Sequence, residues 1–236
     1  MAKESKAHFN GFYLVGQVVR TGRFGEWHQA TIETIGQGIR GAEFTDLHTV
    51  TFMDDEAADK VAKLMNKRVS LAGKLADSGD PRLLLVASPS IQAVTKAVKD
   101  ANMAKIVGES ERCELFPPKE GKKQFTSVLM KVNGQLLNAV AFRGLASKLD
   151  GLEEGTPLQI QGRMRRREFE MNDGNTGYAV DIIADSGKSK ILGKSERIDP
   201  FEAMPDWDIP EGTTDETAET AEKTTEEPKK RKRSAV

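Results

Sequence analysis

HTVTFMDDEAADKVAKLMNKRVSLAGKL (residues 48–75) and LNAVAFRGLASKLDGLEEGTPLQIQGRM (residues 137–164) align without a gap, 28 residues against 28. Each reads as an alternating strand, a short helix, a second strand, and then Gly followed by a basic residue. That order is the middle of a small closed β-barrel with a helix plugging one end. A repeat of this length is a repeated structural unit. The chain is therefore expected to be mostly β, with two tandem barrels and a short helix in each. Two equivalent surfaces favour a binding protein over an enzyme built around one pocket.

The repeat extends once gaps are allowed. YLVGQVV (13–19) lies over KIVGESE (105–111), and GEWHQATIETIG (25–36) over KKQFTSVLMKVNG (122–134), matched at their final Gly. The offset between copies is 92 residues for the first strand, 98 for the second and 89 from the third onward. The length changes fall in loops, where insertions are tolerated. Period-2 alternation sends Val128, Met130 and Val132 inward and Phe125, Ser127, Leu129 and Lys131 outward. In the first copy Ala30 and Ile32 point inward, which leaves Trp27 on the outer face. The helices are read over 54–67, with Ala57, Val61, Leu64 and Met65 as the apolar stripe, and over 142–155. RLLLVA (82–87) and YAVDIIA (178–184) close the barrels, the latter after a tight turn at NDGN (172–175). SPSIQAVTKAVKDAN (88–102) carries helical spacing after Ser-Pro. The organisation expected is a first barrel over 9–88, a connecting helix over 89–102, a second barrel over 103–198 and a tail over 199–236.

Charge divides along the same lines. Residues 1–198 hold 29 bases and 25 acids, residues 199–228 hold eleven acids and one base, and KKRKR (229–233) adds five bases. The tail is rich in Thr, Glu and Pro with no apolar period, so it is expected to be disordered. One cysteine, Cys113, permits no internal disulfide and fits a reducing compartment. The N-terminal residues lack the apolar stretch of a secretory signal. No run approaches the roughly 18 apolar residues of a membrane span.

The second copy carries a resemblance. AVAFRGLASKLDGLEEGTPLQIQGRMRRREFEMNDGNTGYAVDIIA (139–184) resembles the bacterial and phage single-stranded-DNA-binding proteins, and KIVGESE is similar to their first strand. The shared pattern is a strand ending in an aromatic, a Leu-Ala helix, a Gly-containing strand with basic residues, an aromatic and a Gly-turn hairpin. The resemblance implies an OB fold that stacks bases on aromatics and tracks phosphates with Lys and Arg. Phe142 matches one stacking position and Phe169, seven residues after Gly162, the other. Arg163, Arg165, Arg166 and Arg167 fall on the basic groove. Phe125, Lys131 and Trp27 join them as outward-facing candidates. This sequence departs from the family at GQLLN (134–138), where the long arm is nearly absent. The first copy departs further, with Met53 in place of Phe142 and Leu75-Ala76-Asp77 in place of the arginines.

The family's acidic tail recruits replication and repair enzymes. Asp206, Trp207, Asp208, Ile209 and Pro210 resemble that motif, though 26 residues follow Pro210. An aromatic and Ile among carboxylates suit a basic-rimmed apolar pocket on a partner. The implied function is sequence-non-specific binding and protection of single-stranded DNA in replication, recombination or repair. The implied setting is the cytoplasm of a bacterium, or of an infected host if phage-encoded, and the implied state a homodimer presenting four barrels. The alternative is an OB-fold adaptor that mainly binds protein. No catalytic role, cofactor, metal or membrane is expected. The three histidines stand apart, and no phosphate loop or nucleophile elbow occurs.

Overall fold

The computed structural model describes residues 8–24, 27–37, 41–52, 54–76, 83–118, 123–170, 174 and 176–192. The first half runs β1 (Phe9–Phe24), β2 (Trp27–Gln37), β3 (Glu43–Phe52), α1 (Asp55–Ala62), β4 (Arg68–Ala76) and β5 (Leu83–Ala93). The second runs β6 (Ala101–Phe116), β7 (Phe125–Val132), β8 (Gln135–Phe142), α2 (Arg143–Leu149), β9 (Pro157–Glu170), β10 (Thr176–Ala184) and β11 (Lys190–Ile191). The architecture is mostly β. Alternation sets the faces as expected. Val128, Met130 and Val132 are fully buried, while Phe125 and Leu129 are half-buried and Lys131 exposed.

Both halves pair their strands in the same order. β1 pairs with β2 and β4, β2 with β3, β3 in parallel with β5, and β5 with β4, which closes a cycle. β6, β7, β8, β10 and β9 close the second cycle in the same way. The offsets read from the sequence recur in the register. Phe12 faces Gly73 where Ala104 faces Gly162. Glu33 faces Leu47 where Lys131 faces Leu136. The first strand of each half carries a register shift at the same place, between Val18 and Arg20 and between Ser110 and Arg112. Such a bulge bends the strand and lets it serve two neighbours. Next to it, Asn66 (φ 63°) and Gly155 (φ 79°) turn the chain after each helix, and their N–H groups donate to the Val18 and Ser110 carbonyls at 2.8 and 2.7 Å.

That turn ends α1 earlier than its apolar stripe suggests. Asp54 caps the helix by accepting from the Ala57 N–H at 2.6 Å, and Ala57, Ala58 and Val61 are buried. Beyond Ala62 the chain turns to reach Val18, which leaves Met65 exposed. The helix expected over 88–102 is not formed. Its first part is the end of β5, where Ile91 enters the core opposite Leu71 and the Val94 N–H donates to the Arg68 carbonyl at 3.0 Å. The open edge of β4 supplies hydrogen bonds that local helical spacing cannot match. In the second half the equivalent edge is covered by β11, with the Leu192 N–H donating to the Pro157 carbonyl. The near-absent arm between β7 and β8 is a two-residue turn. Asn133 and Gly134 both have positive φ, 50° and 80°, as the favoured hairpin turn requires.

The halves are joined by strand pairing. β1 and β6 run antiparallel from Phe9↔Val107 to Val15↔Ala101, centred on Phe12↔Ala104. Phe12 and Ala104 occupy equivalent places in the repeat, so this seam lies on a pseudo-twofold axis. The result is one continuous sheet of eleven strands.

Two glycines make the crossing at each bulge possible. A Cβ on Gly16 would lie 2.2 Å from the Glu33 carbonyl oxygen, and one on Gly108 would lie 2.4 Å from that of Lys131. Gly108→Ala is expected to destabilise the protein by about 1–3 kcal/mol or more, as forced overpacking does. Gly144→Ala, in open space on α2, is expected to be neutral or mildly stabilising. Urea unfolding of the two variants measures the contrast.

Candidate nucleic-acid interface

Three neighbouring strands bring three phenylalanines into one row. Register places Phe116 opposite Phe125 and Phe125 opposite Phe142. The Phe116 and Phe125 rings are stacked with centroids 4.8 Å apart, and Phe125 and Phe142 are tilted at 6.1 Å. All three are half-buried, so each retains an accessible part. A row of this kind fixes the rings before any ligand arrives, which lowers the ordering cost of stacking. Phe116 is absent from the expected site. The repeat does signal it, because the first-strand offset sets it over Phe24. In the first half Phe24 and Trp27 are the equivalent register pair, and Trp27 is half exposed.

The basic run does not form one uniform groove. β9 buries Leu158, Ile160, Gly162 and Met164 on its inner side. Arg163, Arg165 and Arg167 therefore leave the outer side, and Arg166 shares the inner parity and is half-buried. Arg165 is exposed. Arg167 donates through Nε to Asp181 Oδ2 at 2.8 Å. Asp181, only 4% exposed, accepts at Oδ1 from Asn138 Nδ2 at 2.9 Å, and Asn138 Oδ1 accepts from Ser127 Oγ at 3.0 Å. This chain of bonds crosses β9, β10, β8 and β7 on the same face as the aromatic row. Arg163 reaches instead into the first half, where it meets Asp46 at 2.9 Å and lies 4.5 Å over the Phe44 ring. Lys131 is exposed opposite Leu136. Phe169 is described by its backbone alone, which pairs with Gly177. Met53, the tail motif Asp206–Pro210 and KKRKR lie outside the described residues.

The described residues hold no group of three or more His, Cys, Asp or Glu placed to bind a metal. No described helix is long and apolar enough to cross a membrane. Burial pushes the Cys113 thiol up, with Asp150 adding to the shift, so it is protonated at neutral pH. A cleft of about 260 Å³, lined by Met103, Gln161, Arg163, Ile183, Asp185 and Lys188 among others, is smaller than the roughly 300–1,000 Å³ of small-molecule sites.

No known protein-family profile matches the chain, and no curated protein matches it significantly. Solved structures do share its fold. The single-stranded DNA binding protein from Thermus aquaticus superposes with a TM-score of 0.63 at 14% identity, covering 83% of this chain and 98% of that one. A deletion mutant of the Thermus aquaticus protein gives 0.60 at 16% identity, covering 82% and 98%. At these identities the shared property is the OB-type fold.

His48, on β3 two residues from Asp46, is 2% exposed and sits 3.1 Å from the Thr34 hydroxyl through Nε2. Burial lowers its pKa to about 4, with Asp46 opposing and Arg163 adding to the shift. An unfolded imidazole protonates near 6.5, so between pH 6.5 and 4 the unfolded state binds the extra proton. The contribution to stability is complete above about pH 6.5 and is lost as pH falls toward 4, by about 3 kcal/mol in all. Urea midpoints taken from pH 7 to 4.5 are expected to fall steeply in the wild type and less so in His48→Gln.

Proposed function

We propose that this protein binds single-stranded DNA without sequence preference, coating and protecting it during replication, recombination or repair. The observation that carries the reading is the accessible row Phe116–Phe125–Phe142 across three paired strands. Every base has a π-face, so such a row is sequence-tolerant and contributes about 1–3 kcal/mol per stacked base. Arg165 and Lys131, exposed on this side, supply the salt-dependent phosphate contacts, and Arg166 and Arg167 on the same strand as Arg165 add to the positive field. Phe169 and, in the first half, Trp27 extend the stacking surface. The fold shared with the Thermus aquaticus single-stranded DNA binding protein supports the reading.

The pseudo-twofold seam already sets two halves as partners, and a homodimer of this chain would present four. Its working place on this reading is the cytoplasm of a bacterial or phage-infected cell. The tail segment Asp206, Trp207, Asp208, Ile209 and Pro210 would recruit replication or recombination proteins. No catalytic step is assigned. A second reading, an adaptor that mainly binds protein, is favoured by one feature of the first half. Ile35 and Leu47, on the adjacent strands β2 and β3, are 49% and 42% exposed.

The test is fluorescence anisotropy of a labelled oligo-dT of about 35 nucleotides against a duplex of equal length, at two salt concentrations. A preference for the single strand well over tenfold is expected. The Phe125→Ala/Phe142→Ala variant is expected to keep its fold and bind about 30-fold or more weakly. Arg165→Ala is expected to lower the salt slope by about one. Equal binding of both DNAs by the wild type, or an aromatic variant that binds unchanged, sinks the stacking assignment and leaves the adaptor reading.

A further inference from the structure

The seam between the halves is closed by a cluster that the stacking surface does not use. Arg163 leaves β9 of the second half and reaches β3 of the first. Its Nη1 donates to Asp46 Oδ2 at 2.9 Å, and its guanidinium lies 4.5 Å over the Phe44 ring. The same Asp46 oxygen accepts from Asn102 Nδ2 at 3.3 Å. Asn102 is itself fixed on β9, donating to the Met164 carbonyl at 2.8 Å and accepting from the Met164 N–H at 2.9 Å. Three strands from two halves thus meet on one carboxylate, whose side chain is 15% exposed.

The pseudo-twofold axis provides an internal comparison. Asn10 is the counterpart of Asn102 and grips the Leu75 N–H and carbonyl in the same manner. Facing it in the place of Asp46 is Gln135, at 3.5 Å. Lys74 occupies the place of Arg163 and Asn133 that of Phe44. The packing of one strand on another therefore calls for the asparagine on both sides. It does not call for the ion pair and the aromatic, which are present on one side alone.

We infer that Arg163 is a positioning residue that clasps the two halves at a fixed angle, and that it does not contact phosphate. The Arg163 charge is already offset by a carboxylate that is 15% exposed, and its guanidinium lies over an aromatic ring, so it gains less from a phosphate than an unpaired arginine does. Removing it strands Asp46, whose desolvation then opposes the closed seam. The inference rests on the single-stranded DNA reading for its consequence. A strand long enough to lie on both halves feels the angle between them, and a strand confined to one half does not.

The experiment compares oligo-dT of about 8 and about 35 nucleotides, chosen because one OB fold covers roughly 4–16 nucleotides. Arg163→Gln is expected to weaken binding of the long oligomer about tenfold, leave the short one within about twofold, and leave the salt slope unchanged. Asp46→Asn is expected to do the same, although it removes a negative charge. The charge exchange Asp46→Arg/Arg163→Asp is expected to restore most of the long-oligomer affinity. Equal weakening at both lengths with a salt slope lower by about one would identify a phosphate contact and overturn the clasp, as would tighter binding by Asp46→Asn. A wild type that binds neither oligomer overturns the DNA reading instead. The clasp is then read without DNA, by spin labels at Asp59→Cys and Ser147→Cys in a Cys113→Ser background. Arg163→Gln should broaden the distance distribution between α1 and α2, and an unchanged distribution overturns the clasp.

Discussion

Backbone pairing between Phe9–Val15 of β1 and Ala101–Val107 of β6 is the constraint on which the rest of the molecule depends. Each of these strands also pairs with the fourth strand of its own half. Over Phe12–Val15 and Ala104–Val107 the first strand of each half therefore has no free edge, and unpaired strand edges are the usual route to indiscriminate association. Because the pairing is antiparallel and centred on equivalent residues, it imposes a twofold relation on two sequences that have diverged. The bulges at Val19 and Glu111 then bend both strands away from the seam toward β2 and β7. Gly16 and Gly108 are the cost of that geometry, since the carbonyls of Glu33 and Lys131 pass where a side chain would begin.

Much of this was legible in the chain. The repeat at 48–75 and 137–164, with its three offsets, anticipates the strand register inside each half, because a side-chain period of two leaves few registers that bury Val50 and Ala139 together with their neighbours. The inward set Val128, Met130 and Val132 follows from the same period. The segment 88–102 was misleading for a definite reason. Ile91, Val94 and Val98 have helical spacing, but β4 offers Ile91 a hydrogen-bonded place opposite Leu71, and tertiary pairing overrides local propensity. The Asn133–Gly134 turn carries a strong hairpin signal in its own residues. The β1–β6 seam carries none, because pairing between distant strands leaves no spacing in the sequence.

The candidate site was legible in its residue types and less so in their roles. Phe125 and Phe142 are recognisable as strand-end aromatics, and Phe116 completes the row only when the first-strand offset is followed to its end. The arginines read as a block in sequence, whereas alternation along β9 separates them. Arg166 has inner parity, Arg167 is engaged by Asp181, and Arg163 is engaged by Asp46. No rule of spacing reveals those carboxylates, which come from β10 and from the other half of the chain.

The division among the arginines bears on how a strand would be held. An exposed arginine offers its whole charge to phosphate and loses its hold as salt rises. One already paired with a buried carboxylate gains little from a phosphate, because the attraction must first replace an existing partner. On the proposed face the Asp181 network holds Arg167 and Asn138 on the same side as the aromatic row. The fixed component of that face is thus aromatic, and the uncommitted charge lies at Arg165 and Lys131 along its flanks. Stacking area would then dominate affinity, with electrostatics setting the approach and path of the strand. The first half follows the same physics with fewer cations on its outer face. Trp27 is exposed there beside Gln29, Thr31 and Glu33, with Arg20 exposed opposite Thr31, a surface that can stack a base but would attract a polyanion less strongly. On the single-stranded DNA reading the two halves, tied by one seam, would be unequal partners in a shared strand, with the second half as the stronger anchor.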